Sequence, residues 1–320
     1  VRFADGMMAR TIRGAGNTGC LIPGVGAGVQ DLRKPPASGP TLPEGAAIVG
    51  WEHQNTGSGD SFTLSDALAS GGGSWSNNPG TGFPARVTDR TNFIQGSDAF
   101  IVSGAVPNAL NGNQVGAGGG NNVRIVDGGG SNAASGISVD SVIQLVGPDC
   151  DSAFRFVKGN NESATTISVD GSDNQAAASV NNANINTAGA RVLTFESTLY
   201  FIGQGSNNEP ALFRQSLANI NSTPNPQELM SGVENMQVLY GIGDGEGVTQ
   251  EYVTADDASL TDWNQVVAVR LALLMRSDAN MRGEEEERKF NLLGAEATTP
   301  KDERARVNLI KTFALRNQLN

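Results

Sequence analysis

Three kinds of side chain in this 320-residue sequence are suited to chemistry: two cysteines, one histidine and several groups of carboxylates. The histidine, His53, has no second histidine and no nearby cysteine with which to form a zinc ligand set or a catalytic triad. We therefore expect His53 to have a structural role. Cys20 and Cys150 are either unpaired core residues or a disulfide, and no motif around them supplies the base that a catalytic thiol needs.

Acidic residues are concentrated in two segments of the C-terminal third. The first contains Asp244, Glu246, Asp256 and Asp257, whose carboxylate oxygens are ligands that calcium accepts. Their spacing is not that of an EF-hand loop, and acidic residues are also favoured in turns, so both interpretations stay open. The second segment, 284–287, is followed by basic residues and is typical of a solvated turn. Nothing in the sequence positions a catalytic carboxylate pair, so we predict no enzyme activity and no cofactor.

Glycine-rich runs at 115–122 and 127–132 invite comparison with phosphate-binding loops. No Lys-Ser or Lys-Thr pair follows the first run, and no strand and helix flank it in the required order. We predict that both runs are loops that frame a short strand. The net charge of −11 and the absence of a long basic patch argue against nucleic acid as a main partner.

Strands must position most of these residues, because 41 glycines and a charged fraction of 17% predict many turns between short strands. Alternating apolar residues predict a half-buried strand at 236–242 and a core-forming strand at 266–275. The second segment is interrupted by Arg270 and is far shorter than the roughly 20 apolar residues of a membrane helix. We also predict a hairpin formed by 192–195 and 199–202.

An amphipathic helix is predicted at the start of the sequence, where Gly14 and Gly16 supply the stop signal. The apolar residues at helical spacing are Phe3, Met7, Met8, Ile12 and Ala15. Because no capping residue precedes them, we expect the helix to continue upstream. The alternative is a short amphipathic helix with a frayed end.

Several segments then carry a family resemblance. The order GVENMQVLYG, YVTADD and a Trp followed by VVAVRLALLMRS resembles the C-terminal half of the PilW family of type IV pilus minor pilins. Five further segments follow the family's order: ARTIRGAGNTGC, GSDAFIV, GPDCDSAFRF, LYFIG with ALFR, and KTFALRN. The poorly matching parts, near 104–136 and 158–190, are interpreted as Gly/Asn-rich loop insertions.

The resemblance implies an α+β fold in which the C-terminal end of a long pilin helix packs on antiparallel β-sheet. Residues 1–16 would be the helix end, and residues 17–320 a β-rich globular domain. Both cysteines match positions of the family's pattern, which implies a disulfide between Cys20 and Cys150 on the oxidising side of the membrane. A bridge closing about 130 residues would contribute on the order of 4 to 5 kcal/mol by loop entropy.

The function implied by the resemblance is structural. A PilW-like minor pilin joins other minor pilins and a tip adhesin in a complex that primes pilus assembly, above the major pilin, with roles in cell adhesion and twitching motility. It would sit in the bacterial inner membrane through the upstream helix, with a periplasmic domain, and later at the extracellular pilus tip. Two alternatives remain: a type II secretion minor pseudopilin, and a secreted β-rich carbohydrate-binding or hydrolytic domain.

Overall fold

The structure is a computed structural model, which describes residues 2–20, 28–34, 46–65, 73–80, 82–84, 87, 92–107, 122–124, 137–163, 166–169, 173–174, 190–217, 225–245 and 247–318. The expected loop insertions near 104–136 and 158–190 lie largely outside these residues, as does Glu246. The parts of the two insertions that are described are mainly strands.

One helix and a long series of strands make up the described chain. The helix is α1 (Arg2–Arg13). The strands are β1 (Gly28–Asp31), β2 (Ile48–His53), β3 (Ser61–Thr63), β4 (Trp75–Ser76), β5 (Ala99–Pro107), β6 (Asn122–Arg124), β7 (Val142–Val146), β8 (Ser152–Ser163), β9 (Thr166–Val169), β10 (Arg191–Gln204), β11 (Pro210–Ser216), β12 (Gln227–Ser231), β13 (Val233–Gly243), β14 (Thr249–Val253), β15 (Val266–Asn280), β16 (Lys289–Leu292), β17 (Ala295–Thr298) and β18 (Arg304–Ala314). Short 3-10 segments lie at Trp263–Gln265 and Arg316–Gln318.

The expected α+β class, with the end of a long helix packed on the sheet, is wrong. Strands account for 55% of the structure and helices for 6%, and α1 is the only α-helix among the described residues. α1 ends where the Gly14 N–H bonds to the carbonyls of Arg10 and Thr11. Gly16 then takes a φ of +70°, and its N–H bonds to the Ser103 carbonyl in β5. The chain leaves the helix because its backbone groups pair with a strand, and the fold is β-dominated.

The largest sheet has 11 strands, with the order β4-β2-β5-β10-β7-β8-β9-β6. β1 adds to β8, β11 adds to β10, and β12 adds to β11. β10 is the central strand, since it pairs with β5, β7 and β11. The predicted hairpin at 192–202 is therefore wrong: Glu196 and Thr198 pair with Gly104 and Val102 of β5, within one continuous strand. The segment between the two predicted strands has no Gly, Pro or Asn that would favour a turn.

The C-terminal part of the chain forms a four-stranded antiparallel sheet, with the order β14-β13-β15-β18, and β16, β17 and β3 form a third, smaller sheet. The apolar face of β15 that contains Val269, Leu271 and Leu273 packs into the main core. The opposite face, with Ala272 and Leu274, packs against the small sheet. β15 is thus buried on both faces, and this explains its nearly continuous apolar sequence.

The main hydrophobic core lies between the large sheet and the four-stranded sheet. It includes Trp51 and Phe100 from the large sheet and Met236 and Tyr240 from β13. α1 adds Met8 and Ile12, the turn after it adds Ala15, and all three side chains are buried in this core. Within the described residues, no helix combines the length and apolar character needed to cross a bilayer.

Candidate functional site

The four-stranded sheet is joined to the large sheet by buried polar groups, and the segment 96–98 lies at the centre of this joint. The backbone N–H of Asp98 donates to the Met236 carbonyl at 2.9 Å. The side-chain amides of Asn235 and Gln237 both donate to the Gly96 carbonyl, at 2.6 and 2.8 Å. The sequence predicted a half-buried strand at 236–242, but Asn235 and Gln237 are also buried, because the joint covers their face of β13.

Asp98 holds strands of both sheets with one carboxylate. Its Oδ1 accepts from the His53 N–H of β2 at 3.0 Å, and its Oδ2 accepts from the Val238 N–H of β13 at 2.8 Å. Asp98 is only 2% exposed. A buried carboxylate that accepts two backbone N–H groups stabilises both strands in one arrangement, because each donor would otherwise be buried without a partner.

A second buried acid, Glu52, shares a hydrogen bond with Asp98. Burial raises the pKa of Glu52, and the negative charges of Asp98 and Asp256 raise it further. Burial also raises the pKa of Asp98, although the bonds from the His53 and Val238 N–H groups act in the opposite direction. Two negative charges on hydrogen-bonded, buried carboxyl groups repel each other strongly, so the pair retains at least one proton at neutral pH.

The Tyr240 side chain fills the remaining space beside this acid pair. It is 1% exposed, and Trp263 packs edge-on against its ring, with the two centroids 4.8 Å apart. Its hydroxyl has no hydrogen-bond partner in the part of the chain that the structure describes. The hydroxyl lies directly over Gly50 of β2, where an added Cβ would be 1.7 Å from the Tyr240 oxygen. Glycine at position 50 therefore permits the close approach of the two sheets.

A network of alternating charges forms the other half of the joint. Its members are Glu209, Glu234, Arg276, Asp302, Arg304 and Arg306. Glu234 accepts from Arg276 at 3.1 Å and from Arg306 at 2.7 Å. Glu209, which precedes β11 of the large sheet, accepts from Arg276 and Arg304. The network thus joins the large sheet to β13, β15 and β18.

The network is largely shielded from water, so removing any one of its charged side chains should lower the stability of the fold. The side chain of Arg306 is 1% exposed and that of Glu234 is 5% exposed. The hydrogen bond from Arg306 lowers the pKa of Asp302. Burial alone would raise the pKa of Glu209, but the hydrogen bonds from Arg276 and Arg304 lower it overall. Removing one member of such a buried set leaves an uncompensated charge, at a cost of about 3–5 kcal/mol.

Cys20 and Cys150 are joined by a disulfide in the structure, with Cα atoms 5.3 Å apart. The bridge connects the turn that follows α1 to the turn between β7 and β8 of the large sheet. Hydrogen bonds reinforce the attachment: Gln144 donates to the Thr18 carbonyl at 2.9 Å, and Asn17 donates to the Ala105 carbonyl at 2.7 Å. The bridge therefore attaches the turn after α1 to the large sheet, at a place separate from the charge network.

The acids predicted as calcium candidates lie in turns. Asp244 accepts from the Val248 N–H at 3.1 Å, and Asp257 accepts from the Ser259 N–H at 2.8 Å. Asp256 accepts from the hydroxyl of Thr254 at 2.8 Å. Among the residues that the structure describes, no group of three or more His, Cys, Asp and Glu side chains is arranged to hold a metal ion. The described candidates thus serve as turn-forming acceptors.

The sequence predicted a structural role for His53, and in the structure its ring packs against a neighbouring aromatic side chain. Its ring lies edge-on to Trp75, with centroids 5.1 Å apart, and its Nδ1 is 3.0 Å from the Gln54 carbonyl. Burial lowers the pKa of His53, so the neutral ring is favoured. With the neutral ring, Nδ1 carries the proton and donates it to that carbonyl.

Sequence reasoning missed both halves of the joint. Glu52 lies near the end of the otherwise apolar strand β2, and a carboxylate in that position was an available signal that went unused. Asp98 belongs to the GSDAFIV segment, which was considered only for its family resemblance. The charge network was not predictable from spacing, because Glu209 and Arg304 are 95 positions apart in the sequence.

Comparison with known proteins bears on this C-terminal region. The profile of the family described as Type IV Pilus-assembly protein W, PilW, matches residues 199–317. No curated protein matches the chain. Among solved structures, the chain is similar to a type IV-like pilin, TTHA1219, from Thermus thermophilus, with 18% sequence identity, coverage of 40% of this chain and 70% of that one, and a TM-score of 0.26.

The family match runs from the second half of β10 to the end of β18, so it includes the whole four-stranded sheet and all six members of the charge network. The resemblance that the sequence suggested is therefore confirmed on this segment. The match to a pilus-assembly family associates the protein with the cell envelope or the pilus. Residues 199–317 of this chain match the PilW family, and this match supports a function related to the type IV pilus.

Proposed function

We propose that this protein is a minor pilin, a structural component of the complex that primes pilus assembly and remains at the filament tip. The observation that carries the proposal is the PilW match over residues 199–317, which includes the complete four-stranded sheet. Its partners in this role are other minor pilins, the tip adhesin and the major pilin below the tip. It acts on the periplasmic side of the inner membrane before assembly and at the extracellular tip afterwards.

The chemistry of the joint favours a structural role over catalysis. The carboxyl groups of Glu52 and Asp98 are buried and share a hydrogen bond, and Asp98 accepts from backbone N–H groups of two strands. An acid used in this way fixes the geometry between the sheets. We therefore propose that the protein has no enzyme activity, and that it contributes to adhesion and twitching motility only through the pilus.

Deletion of the gene in the organism of origin tests the role. Surface pili counted by electron microscopy, and twitching zones, should both decrease strongly and be restored by the wild-type gene. Normal piliation would contradict the proposal. Loss of type II secretion with normal piliation would favour the pseudopilin alternative, and binding or cleavage of polysaccharide by the purified protein would favour the secreted β-rich alternative.

A further inference from the structure

The small sheet covers one end of the outer face of the four-stranded sheet, the face opposite the main core. It packs there on Ala272 and Leu274. Arg270 lies two positions before Ala272 and therefore on the same face. Tyr252 joins Arg270 there, because the strand pairing places Tyr252 in the same cross-strand row as Ala268. Both Arg270 and Tyr252 are partly exposed, so this end of the face is accessible to another molecule.

The side chain of Arg270 is stacked on the ring of Tyr252. The guanidinium carbon lies 4.0 Å from the centroid of the ring. The ring in turn lies close to Gly241 of β13, where an added Cβ would be 3.1 Å from Cε1 of Tyr252. Because the stack already holds the guanidinium in place, Arg270 loses less freedom than an unrestrained side chain when a partner binds.

The stack leaves the hydrogen-bond donors of Arg270 available. A guanidinium stacks through its flat face, while its five N–H groups point outward in the plane. Within the part of the chain that the structure describes, Arg270 makes no hydrogen bond and no ion pair. This distinguishes it from Arg276, Arg304 and Arg306 of the same sheet, each of which is bound by carboxylates.

The neighbours of Arg270 on this face are uncharged. Its cross-strand partners are Leu239 and Thr312. Asp60 and Asp256 line a cleft beside Leu239, and neither forms an ion pair with Arg270. We call the accessible end of the face the Arg270 patch, and its members are Leu239, Gly241, Tyr252, Ala268, Arg270, Ile310, Thr312 and Ala314.

The charge of the Arg270 patch indicates which kind of partner fits it. A carboxylate matches the fork of a guanidinium and can accept two parallel hydrogen bonds from it. A second copy related by a two-fold axis would place the patch against itself, and the patch contains no carboxylate. A different chain that carries an acidic side chain is therefore the better match.

We propose that Arg270, stacked on Tyr252, binds an Asp or Glu carboxylate of another pilus subunit that docks on the Arg270 patch. This inference rests on the proposed function. Arginine and tyrosine are enriched among the residues that dominate binding at protein interfaces. Docking would also enclose the charge pair, and a charge pair inside an interface is more sensitive to truncation than one at its rim.

The test uses the purified protein and, as probes, the purified soluble domains of the other pilus-assembly proteins from the same organism. Arg270→Gln should weaken binding of a probe about tenfold or more, since a carboxylate is left in the interface without its partner. The matched control, Arg282→Gln, removes the same charge from an exposed ion pair with Glu286 and should leave the affinity nearly unchanged. Urea denaturation of both variants checks that they fold.

A chemical footprint on the wild-type protein tests the same contact without a substitution. Phenylglyoxal modifies accessible arginines, and mass spectrometry locates the modified residues. A bound probe should protect Arg270 from modification, while Arg282 should stay reactive.

The possible outcomes separate the two proposals. If a probe binds and the two variants have equal affinity, or if the bound probe leaves Arg270 reactive, docking on the Arg270 patch is wrong while the pilus role stands. If no probe binds, both proposals are contradicted. If Arg270 is protected only by self-association or only by an acidic polysaccharide, the assignment to another pilus subunit is wrong.

Discussion

The large sheet holds two neighbouring parts of the chain by different chemistry. A disulfide between Cys20 and Cys150 attaches the turn after α1. The four-stranded sheet is attached by the Glu52 and Asp98 acid pair and by the buried network around Glu234. The first attachment is covalent and depends on redox conditions. The second depends on protonation and on complete pairing of charges.

The segment that matches PilW is therefore held by buried groups, and removing any one of them should destabilise the folded state. A disulfide stabilises mainly by restricting the unfolded chain, so its removal leaves the folded contacts in place. A buried charge that loses its partner destabilises the folded state directly. Disturbing each attachment separately should therefore give effects of different size and of different dependence on solution conditions.

The largest effect is expected from Glu234→Ala. It removes the carboxylate that Arg276 and Arg306 share, and should lower the free energy of unfolding by about 3–5 kcal/mol. Urea denaturation measures this change. The control is Glu286→Gln, which removes a carboxylate from an exposed ion pair and should leave the denaturation midpoint nearly unchanged. Equal effects of the two variants on the free energy of unfolding would show that the buried network stabilises the fold no more than an exposed ion pair does.

The next largest effect is expected from the double variant Cys20→Ser and Cys150→Ser. Loss of the cross-link should lower the free energy of unfolding by about 2–4 kcal/mol, because the unfolded chain gains freedom. Adding a reductant to the wild-type protein should reproduce the change, and should have no effect on the variant. Unreduced wild-type protein should show no reaction with a thiol reagent under denaturing conditions. A full reaction of both cysteines would contradict the bridge.

Gly50→Ala probes the distance between the two sheets. The new methyl group would lie 1.7 Å from the Tyr240 oxygen, so the sheets or the tyrosine must shift. We expect a loss of about 1–3 kcal/mol, typical of overpacking in a core. Gly59→Ala cannot serve as the control, because Gly59 has a positive φ. Gly6→Ala is suitable, since nothing lies within 4 Å of its added Cβ.

The smallest effect on the free energy of unfolding at neutral pH is expected from Glu52→Gln. This variant should be distinguished by how its stability depends on pH. The folded pKa of Glu52 lies above its unfolded value, so the folded state holds more protons over the interval between the two. Stability of the wild-type protein should therefore decrease as pH rises from about 4.5 into the alkaline range, by at most about 1.4 kcal/mol per pH unit for this proton.

The glutamine variant cannot ionise at position 52, so its stability should decrease less with pH. Titratable groups common to both proteins, including His53 and Lys158, affect the two curves alike. The difference between unfolding free energies measured from pH 6 to pH 9 thus isolates the coupled pair of Glu52 and Asp98. Parallel curves would mean that the acid pair does not hold a shared proton in the folded state.

Some of this protein could be predicted from the sequence alone. The alternation in 236–242 and the apolar run in 266–275 correspond to β13 and β15, because an apolar pattern of period two determines which side chains face a core. The PilW resemblance rested on the same residues. A structural role for His53 remains a prediction, made because the sequence offers no second histidine and no nearby cysteine.

The tertiary structure alone decided how these elements meet. The sequence predicted a hairpin at 192–202, but pairing with β5 keeps β10 continuous, because the hydrogen bonds of a neighbouring strand outweigh weak local turn preferences. Asp98 and Val238 are separated by 140 positions, and Glu209 and Arg304 by 95. The local sequence pattern does not predict contacts between residues that are so far apart in the sequence. Folding brings these groups together. Their charges and hydrogen bonds then interact strongly, because water is excluded from between the sheets.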